Sequence, residues 1–393
     1  MSDLIPHVSV SEYRYQLPEE RIPDRPLEDR DQSKLLVYRK GEISQHIFSE
    51  IPHFVPSSSL LVFNNSKVIP ARLHFQTPTT AWVELLCLHP LGIVQHEMDT
   101  HAQSWKCVVG NLKRWKEGVV LEQTHGIFML KAELLEKGGE ENTVRFSWSG
   151  TDSFFELLEA LGEIPLPPYM HRQADHLDKT RYQTVYAGPE GSVAAPTAGL
   201  HFTQPLLETL HKQGISQGHL TLHVGAGTFK PIKTDDAASH TMHQEFFELD
   251  KSLIHSLLRH SFPIAVGTTS MRTLESLYHV GCQILDGQEE VCVAQWDGFQ
   301  PRHATKEQAL QAILDYMDSK HLQKLVGSTR IMIVPGYSFR ICKGLVTNFH
   351  QPESSLILLV AAFVGKDWEK IYRFALENDF RFLSYGDSSL LFP

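Results

Sequence analysis

Cysteine is scarce in this 393-residue chain. Its five residues, Cys87, Cys107, Cys282, Cys292 and Cys342, are odd in number, widely spaced and form no CxxC pair. That argues against a disulfide framework and a thiolate zinc site, and it suits a reducing compartment. Long apolar runs are also missing. The most apolar stretch, Ser354 to Gly365 (SSLILLVAAFVG), falls far short of the ~20 residues that span a bilayer and reads as a buried helix or strand. The opening MSDLIPHVSVSEYRY has no basic n-region and no apolar h-region, so a cytoplasmic location and no membrane partner are expected. There is no Walker P-loop, no GxGxxG after a strand, no GxSxG elbow and no HExxH. Their absence argues against a kinase, a standard dehydrogenase, a Rossmann-type methyltransferase and an α/β-hydrolase.

What is there is globular: 42% hydrophobic and 21% charged residues, enough for two to three domains that bury a core without a metal or disulfide staple. The net charge is −10, with 22 histidines. Charging half of these, near pH 6.5, would about cancel the deficit. An acidic balance argues against sequence-blind nucleic-acid binding, though not against one local basic groove.

No repeat or low-complexity segment appears. LLVF at 60–63 reads as a buried strand, followed by the polar turn Asn64-Asn65-Ser66-Lys67. From Trp82 to Trp148, short β-branched and aromatic segments separated by glycine turns predict a small all-β unit, with one short helix near Ala132–Lys137. Beyond Ser149 helices return. Ser153 to Glu156 is a capping box, Thr203 and Pro205 open a helix that Gly214 ends, Asp250 caps another, and Thr305 to Gln308 opens one through Leu322. Between them LTLHV (220–224), PIAV (263–266), VCVA (291–294) and IMIV (331–334) are strand candidates. The fold class expected is α/β, a larger α/β domain of residues 1–75 and 155–393 with a small barrel-like all-β domain, 76–154, inserted.

Four stretches carry chemical side chains. GSVAAPTAGLHFT (191–203) offers Thr197, His201 and Thr203, or is simply a tight loop entering a helix. His219 to Glu245 places His223 on the polar face of a strand ending at Gly225-Ala-Gly-Thr228, a candidate anion nest, and then gives His240-Thr-Met-His243-Gln-Glu245. The H-x-x-H-x-E spacing serves metal ligation, acid–base work or ordinary structure. AVGTTSMRTLE (265–275) turns a strand into a helix near Ser270, an anion site with Thr269 and Arg272, or a capped helix with a solvated arginine. Pro335-Gly-Tyr337 to His350, with Tyr385-Gly386-Asp387, sets aromatics beside a carboxylate, which suits a planar base or a sulfonium.

These blocks resemble the S-adenosylmethionine:tRNA ribosyltransferase-isomerases of queuosine biosynthesis. The matching strings include NNSKVIPARL (64–73), RYQTVYA (181–187), AAPTAGLHFT, LHVGAGTFKPI (222–232), AVGTTSMRTLES (265–276), and Pro335 to His350, collinear from near residue 13 to near 390. The resemblance implies a ribosyl transfer from S-adenosylmethionine to 7-aminomethyl-7-deazaguanine in tRNA. It implies no metal and no cofactor beyond that co-substrate. An inserted β-barrel is also implied, and a monomer is the default.

Such chemistry needs a base for the acidified 5′ carbon, an acid for departing adenine and a holder for the methionine carboxylate. His223, His240, His243 and His350 are the proton-transfer candidates, with Glu245 to orient one of them. Arg272, Ser270 and Thr269 are candidates for the carboxylate; Tyr337, Tyr385 and Asp387 for adenine, sulfonium or ribose; Arg72 for the RNA; and Thr197, His201 and Asn348 for substrate contacts. The sequence departs from the family's usual pattern at Asn65, Lys67, Cys342-Lys343, Gln351 and Glu353. Two rival classes stay open, a metal-dependent hydrolase on the His219–Glu245 cluster and a non-catalytic RNA-binding protein.

Overall fold

Ser59–Asn64 (SLLVFN) is buried along its whole length, and a strand covered on both faces belongs inside a parallel sheet. The computed structural model, which describes residues 5–91, 101–139, 141–188, 190–223, 232 and 234–393, puts it there. Ten strands form one sheet in the order Cys292–Val293, Lys324–Thr329, Glu245–Asp250, Ser216–His223, Ser59–Asn64, Phe262–Val266, Gly344–Asn348, Ser388–Phe392, Lys34–Arg39 and Glu42–Ile47. The four central strands from Ser216–His223 to Gly344–Asn348 run parallel. Antiparallel pairs extend the sheet on both sides. Ser388–Phe392, late in the sequence, lies in the interior, antiparallel to Gly344–Asn348 and parallel to Lys34–Arg39.

Side chains alternate between the two faces. Leu60 and Val62 join a core built with the helices Lys251–Arg259, Thr268–Leu285, Lys306–Ser319, Ser355–Val364 and Trp368–Glu377. Leu61 and Phe63 pack on the other face, against the helix Gln204–Lys212 and the 3-10 turn Phe48–His53. Among the described residues no helix is long and apolar enough to cross a membrane.

A second, antiparallel sheet has six strands in the order Arg72–Gln76, Trp82–Pro90, Ala102–Gly110, Asn142–Ser149, Phe128–Glu136 and Leu121–His125. Its first and last strands approach, so it nearly closes into a barrel. Val83, Leu85, Trp105, Leu130, Val144 and Phe146 fill it, and Phe154, Leu157 and Leu158 of the helix Phe154–Leu161 pack against this core.

Three local expectations need correction. The helix expected at 132–137 belongs to the strand Phe128–Glu136, because the ladder to Asn142–Ser149 buries Leu130 and Ala132. A period of two outweighs the helix-forming Ala-Glu-Leu-Leu-Glu-Lys. Ile331 to Val334 is buried yet joins no sheet, and the strand there is Lys324–Thr329. The helix opened by Thr305 stops at Ser319, before Leu322.

Candidate active site

Asn64, Gly267 and Asn348 end or follow three neighbouring parallel strands, so they gather on one rim of the sheet. Open α/β sheets bind ligands outside the carboxyl ends of their strands. Here that crevice is a pocket of about 810 Å3, its open mouth included, whose lining includes Asn64, Tyr169, Thr197, Thr268, Thr269, Asn348, His350 and Ser384.

Gly267 shapes the floor. Its φ of 95° and ψ of 149° fall in a region that essentially only glycine adopts. Its N–H donates to the Val346 carbonyl at 2.8 Å. The chain thereby passes straight from the strand Phe262–Val266 into the 18-residue helix Thr268–Leu285. Thr268 and Thr269, whose N–H groups lack intrahelical acceptors, line the pocket at the positive end of that helix.

Asn64 forms another wall. Its Oδ1 accepts from the Ser66 N–H at 3.0 Å and the Ser66 hydroxyl at 2.7 Å, which fixes the amide. Nδ2 is then buried with no acceptor among the described residues. An unmade buried hydrogen bond costs about 1–3 kcal/mol, which an acceptor on a ligand would recover.

His350 is the buried imidazole of the pocket. Its Nε2 lies 2.9 Å from the Thr347 hydroxyl, and among the described residues no hydrogen bond holds Nδ1. Its backbone N–H donates to the Tyr372 hydroxyl at 3.1 Å, and its carbonyl accepts from the Tyr15 hydroxyl. Burial lowers its pKa to about 3, so the ring is neutral at physiological pH. Opposite stands Tyr169, its hydroxyl 2.5 Å from that of Ser384 and its pKa pushed up to about 12 by burial.

Asn348 and His201 are coupled. The Asn348 amide donates from Nδ2 to the carbonyls of Leu383 and Ser384, at 2.8 and 3.2 Å, so Oδ1 must face His201 Nε2 at 3.2 Å. His201 therefore carries its proton on Nε2 and accepts at Nδ1 from the Ser33 hydroxyl, 2.7 Å away. Burial lowers its pKa to about 4.

Of the residues nominated from the sequence, Thr197, Thr269, Asn348 and His350 line this pocket, and His201 stands behind Asn348. The others turn elsewhere. The Ser270 hydroxyl donates to the Val266 carbonyl at 2.8 Å. Arg272 donates from Nε to the Ile331 carbonyl at 3.1 Å and lies 3.2 Å from buried Glu245, whose pKa burial raises against the pull of Arg272. His223 is 3.2 Å from Glu248, and His243 is 3.7 Å from Glu141 of the six-stranded unit. The His240 carbonyl accepts from Gln295 at 2.6 Å. His243 is near enough to Glu245 to pull its pKa down against the effect of burial, but among the described residues no group of three His, Cys, Asp or Glu is gathered as a metal site would need.

Tyr337 donates to buried Glu275 at 3.0 Å. Tyr385 donates to Asp178 at 3.2 Å, and Arg172 grips the same carboxylate with two 2.7 Å bonds. Asp387 is held by Arg381 at 2.8 Å and by the Lys34 N–H at 3.0 Å. Arg72 sits in the first strand of the six-stranded sheet, 3.5 Å from Glu84. The nest expected at Gly225–Thr228 lies outside the described residues. Sequence reasoning took Asn64 for a turn and passed over Tyr169 and Ser384. A polar residue closing the buried run LLVF was the available signal for Asn64; Tyr169 had none.

A family model described as a queuosine biosynthesis protein matches residues 10–391. A relative from Trichlorobacter lovleyi is 37% identical over 97% of this chain and 99% of its own length. One from Halothermothrix orenii is 38% identical over 98% and 100%, and one from Syntrophomonas wolfei is 39% identical over 97% of each. All three are named S-adenosylmethionine:tRNA ribosyltransferase-isomerase. A crystal structure of the S-adenosylmethionine tRNA ribosyltransferase from Thermotoga maritima is 28% identical, covers 96% of this chain and 99% of its own, and aligns with a TM-score of 0.47. With the family pattern running through nearly all its length, the chain belongs to the S-adenosylmethionine:tRNA ribosyltransferase-isomerase family of queuosine biosynthesis.

Proposed function

We propose that the chain transfers and isomerises the ribosyl moiety of S-adenosylmethionine onto 7-aminomethyl-7-deazaguanine at the wobble position of tRNA. The products are epoxyqueuosine-tRNA, adenine and methionine. Family membership supplies the reaction class. The observation that carries the reading at this site is the rim pocket, where a helix N-terminus, an unpaired amide donor and a neutral imidazole meet.

Each group has a task. The N–H groups of Thr268 and Thr269 take the methionine carboxylate, as helix N-termini take anions. Asn64 Nδ2 donates to an acceptor on the nucleoside, and the face of Tyr169 attracts the sulfonium. His350 removes the 5′ proton that the sulfonium acidifies and delivers it to adenine as the glycosidic bond breaks. The imidazole returns to neutrality within that exchange, which suits a site that disfavours its charged form. The amine of the modified base then bonds to the ribosyl-derived carbons, and a ribosyl oxygen closes the epoxide as methionine leaves with the C–S electron pair. The proton from the 5′ carbon ends on adenine, the positive charge lost by the sulfonium stays as the ammonium of the new secondary amine, and the sequence needs no redox partner. Proton transfer is assigned to His350 rather than to His223, His240, His243 or Glu245, none of which lines the pocket.

The six-stranded unit is read as a domain inserted in the α/β domain, its boundary moved from 76 to about 72 so that Arg72–Gln76 stays with its sheet. The protein is read as a cytoplasmic monomer. Incubation with S-adenosylmethionine and an anticodon stem-loop carrying 7-aminomethyl-7-deazaguanine should give RNA heavier by the ribosyl-derived group, with equimolar adenine and methionine by mass spectrometry. Methyl transfer, or no product from a folded protein that binds both substrates, would refute the reading.

A further inference from the structure

Behind Asn348 lies a second, narrower cleft of about 310 Å3, most of it open mouth, lined in part by Arg30, Arg181, His201, Arg381 and Tyr385. Ser384 borders both cavities, and the 3.2 Å contact between His201 and Asn348 joins them.

The charges around this cavity do not cancel. Arg381 is matched by Asp387 at 2.8 Å. Tyr385 leans on Asp178, whose carboxylate Arg172 already neutralises. Arg30 and Arg181 have no carboxylate partner among the described residues. Arg30 donates to the Gln183 carbonyl at 2.9 Å, and Arg181 to the carbonyls of Leu27 and Glu28. Backbone carbonyls satisfy N–H groups but supply no negative charge. Two guanidinium charges therefore face one small space, and burial together with the nearby Arg181 pushes the Arg30 guanidinium below its ordinary value. In a chain of net charge −10 with 46 acidic residues, leaving such a pair uncompensated is a cost that a bound anion removes.

We propose that this cavity binds a phosphate of the tRNA backbone, beside the nucleotide whose base enters the main pocket. The proposal rests on the tRNA reading above. Two guanidinium forks present more N–H donors than a carboxylate uses, and they match the oxygens of a phosphodiester. The methionine carboxylate already has the helix terminus at Thr268. A phosphate held here fixes the register of the RNA without reading its sequence, so the wobble base is delivered to the adjoining pocket.

Arg30→Gln and Arg181→Gln test it by titration of the anticodon stem-loop at several salt concentrations. Each should weaken RNA binding and reduce the slope of log K against log salt by about one. Arg30→Lys, which keeps the charge, should restore the slope. S-adenosylmethionine affinity should stay as in the parent. Stem-loops with one methylphosphonate in place of a phosphate put the same question to the unaltered protein. Neutralising a phosphate next to the wobble nucleotide should weaken binding, and that loss should vanish in Arg30→Gln. Unchanged slopes in both Gln variants, or no effect of any methylphosphonate beside the wobble nucleotide, would overturn the proposal. So would a fall in S-adenosylmethionine affinity, which would give the cavity to the methionine carboxylate. A parent protein that binds no RNA at any salt would instead refute the tRNA reading itself.

Discussion

At the scale of the residue, His350 decides most. Its replacement by Ala should lower single-turnover adenine release by about 10²- to 10⁴-fold, the usual contribution of a positioned acid–base group, while S-adenosylmethionine still binds. Since burial holds its pKa at about 3, kcat should show no acid limb near pH 6.5; such a limb would assign the proton to a histidine of ordinary pKa. His279 gives a stability counterpart. Its Nε2 lies 3.2 Å from the Tyr337 hydroxyl, and burial, with Arg302 and Arg340 nearby, lowers its pKa to about 4. Below pH 6.5 the unfolded chain takes up a proton here that the folded chain refuses, so stability falls as pH drops from 6.5 towards 4. His279→Gln removes this loss. Its stability relative to the parent should improve by about 1.4 kcal/mol per pH unit across that window, and denaturant midpoints at pH 7, 6 and 5 would show it. Which polar residues share a pocket was only partly legible. Thr269, Asn348 and His350 stood in segments whose composition looked chemical, and all three reach the rim. Arg272 and Tyr337 stood in the same segments, yet helix phase and fold turn them to Glu245 and Glu275. Neighbours in sequence do not share a direction.

At the scale of the element, two glycines hold the helix Thr268–Leu285 in place. Gly267→Ala makes only ordinary van der Waals contact, with its nearest neighbours 3.9 Å away, but must hold φ near 95°. A cost of about 1–3 kcal/mol follows from the backbone alone, along with weaker S-adenosylmethionine binding, measurable by denaturation and calorimetry. Gly281 is different, since a Cβ there would come within 2.1 Å of the Ala309 carbonyl oxygen on the neighbouring helix. Gly281→Ala should destabilise by about 1–3 kcal/mol through overpacking and leave the ligand contacts alone, so the two variants separate strain at the site from strain behind it. Helix starts at Ser153, Thr203, Asp250 and Thr305 were readable from local residue types, and at Ser153 and Thr305 the hydroxyl does accept from the N–H three residues on, at 3.5 and 3.2 Å. The run from Ser354 was left open between helix and strand, and there the Ser354 hydroxyl accepts from the Ile357 N–H at 3.3 Å at the start of a helix. Residues 132–137 and 331–334 misled, because strand or no strand there depends on which distant segment offers a free edge.

At the scale of the molecule, an acidic chain that acts on RNA must concentrate its cations. Binding of the stem-loop should weaken at least about tenfold between 50 and 200 mM salt, and a flat salt profile by filter binding would contradict the proposed substrate. The α/β class and the small β unit were legible because period-two and period-3.6 patterns occupy separate stretches. The order of the large sheet was not, for SSLLF at 388–392 carries no sign of where it pairs. That placement has a consequence in time. Leu35 pairs with Ser388, so a hairpin synthesised near the start waits for a partner made some 350 residues later. At ~5–20 residues per second of translation, the delay is on the order of 20–70 s. Throughout it Leu35 and Leu36, fully buried in the finished sheet, have an open edge beside them. The nascent chain thus depends on a strand made long after Lys34–Arg39 to bring together two parts that were already waiting.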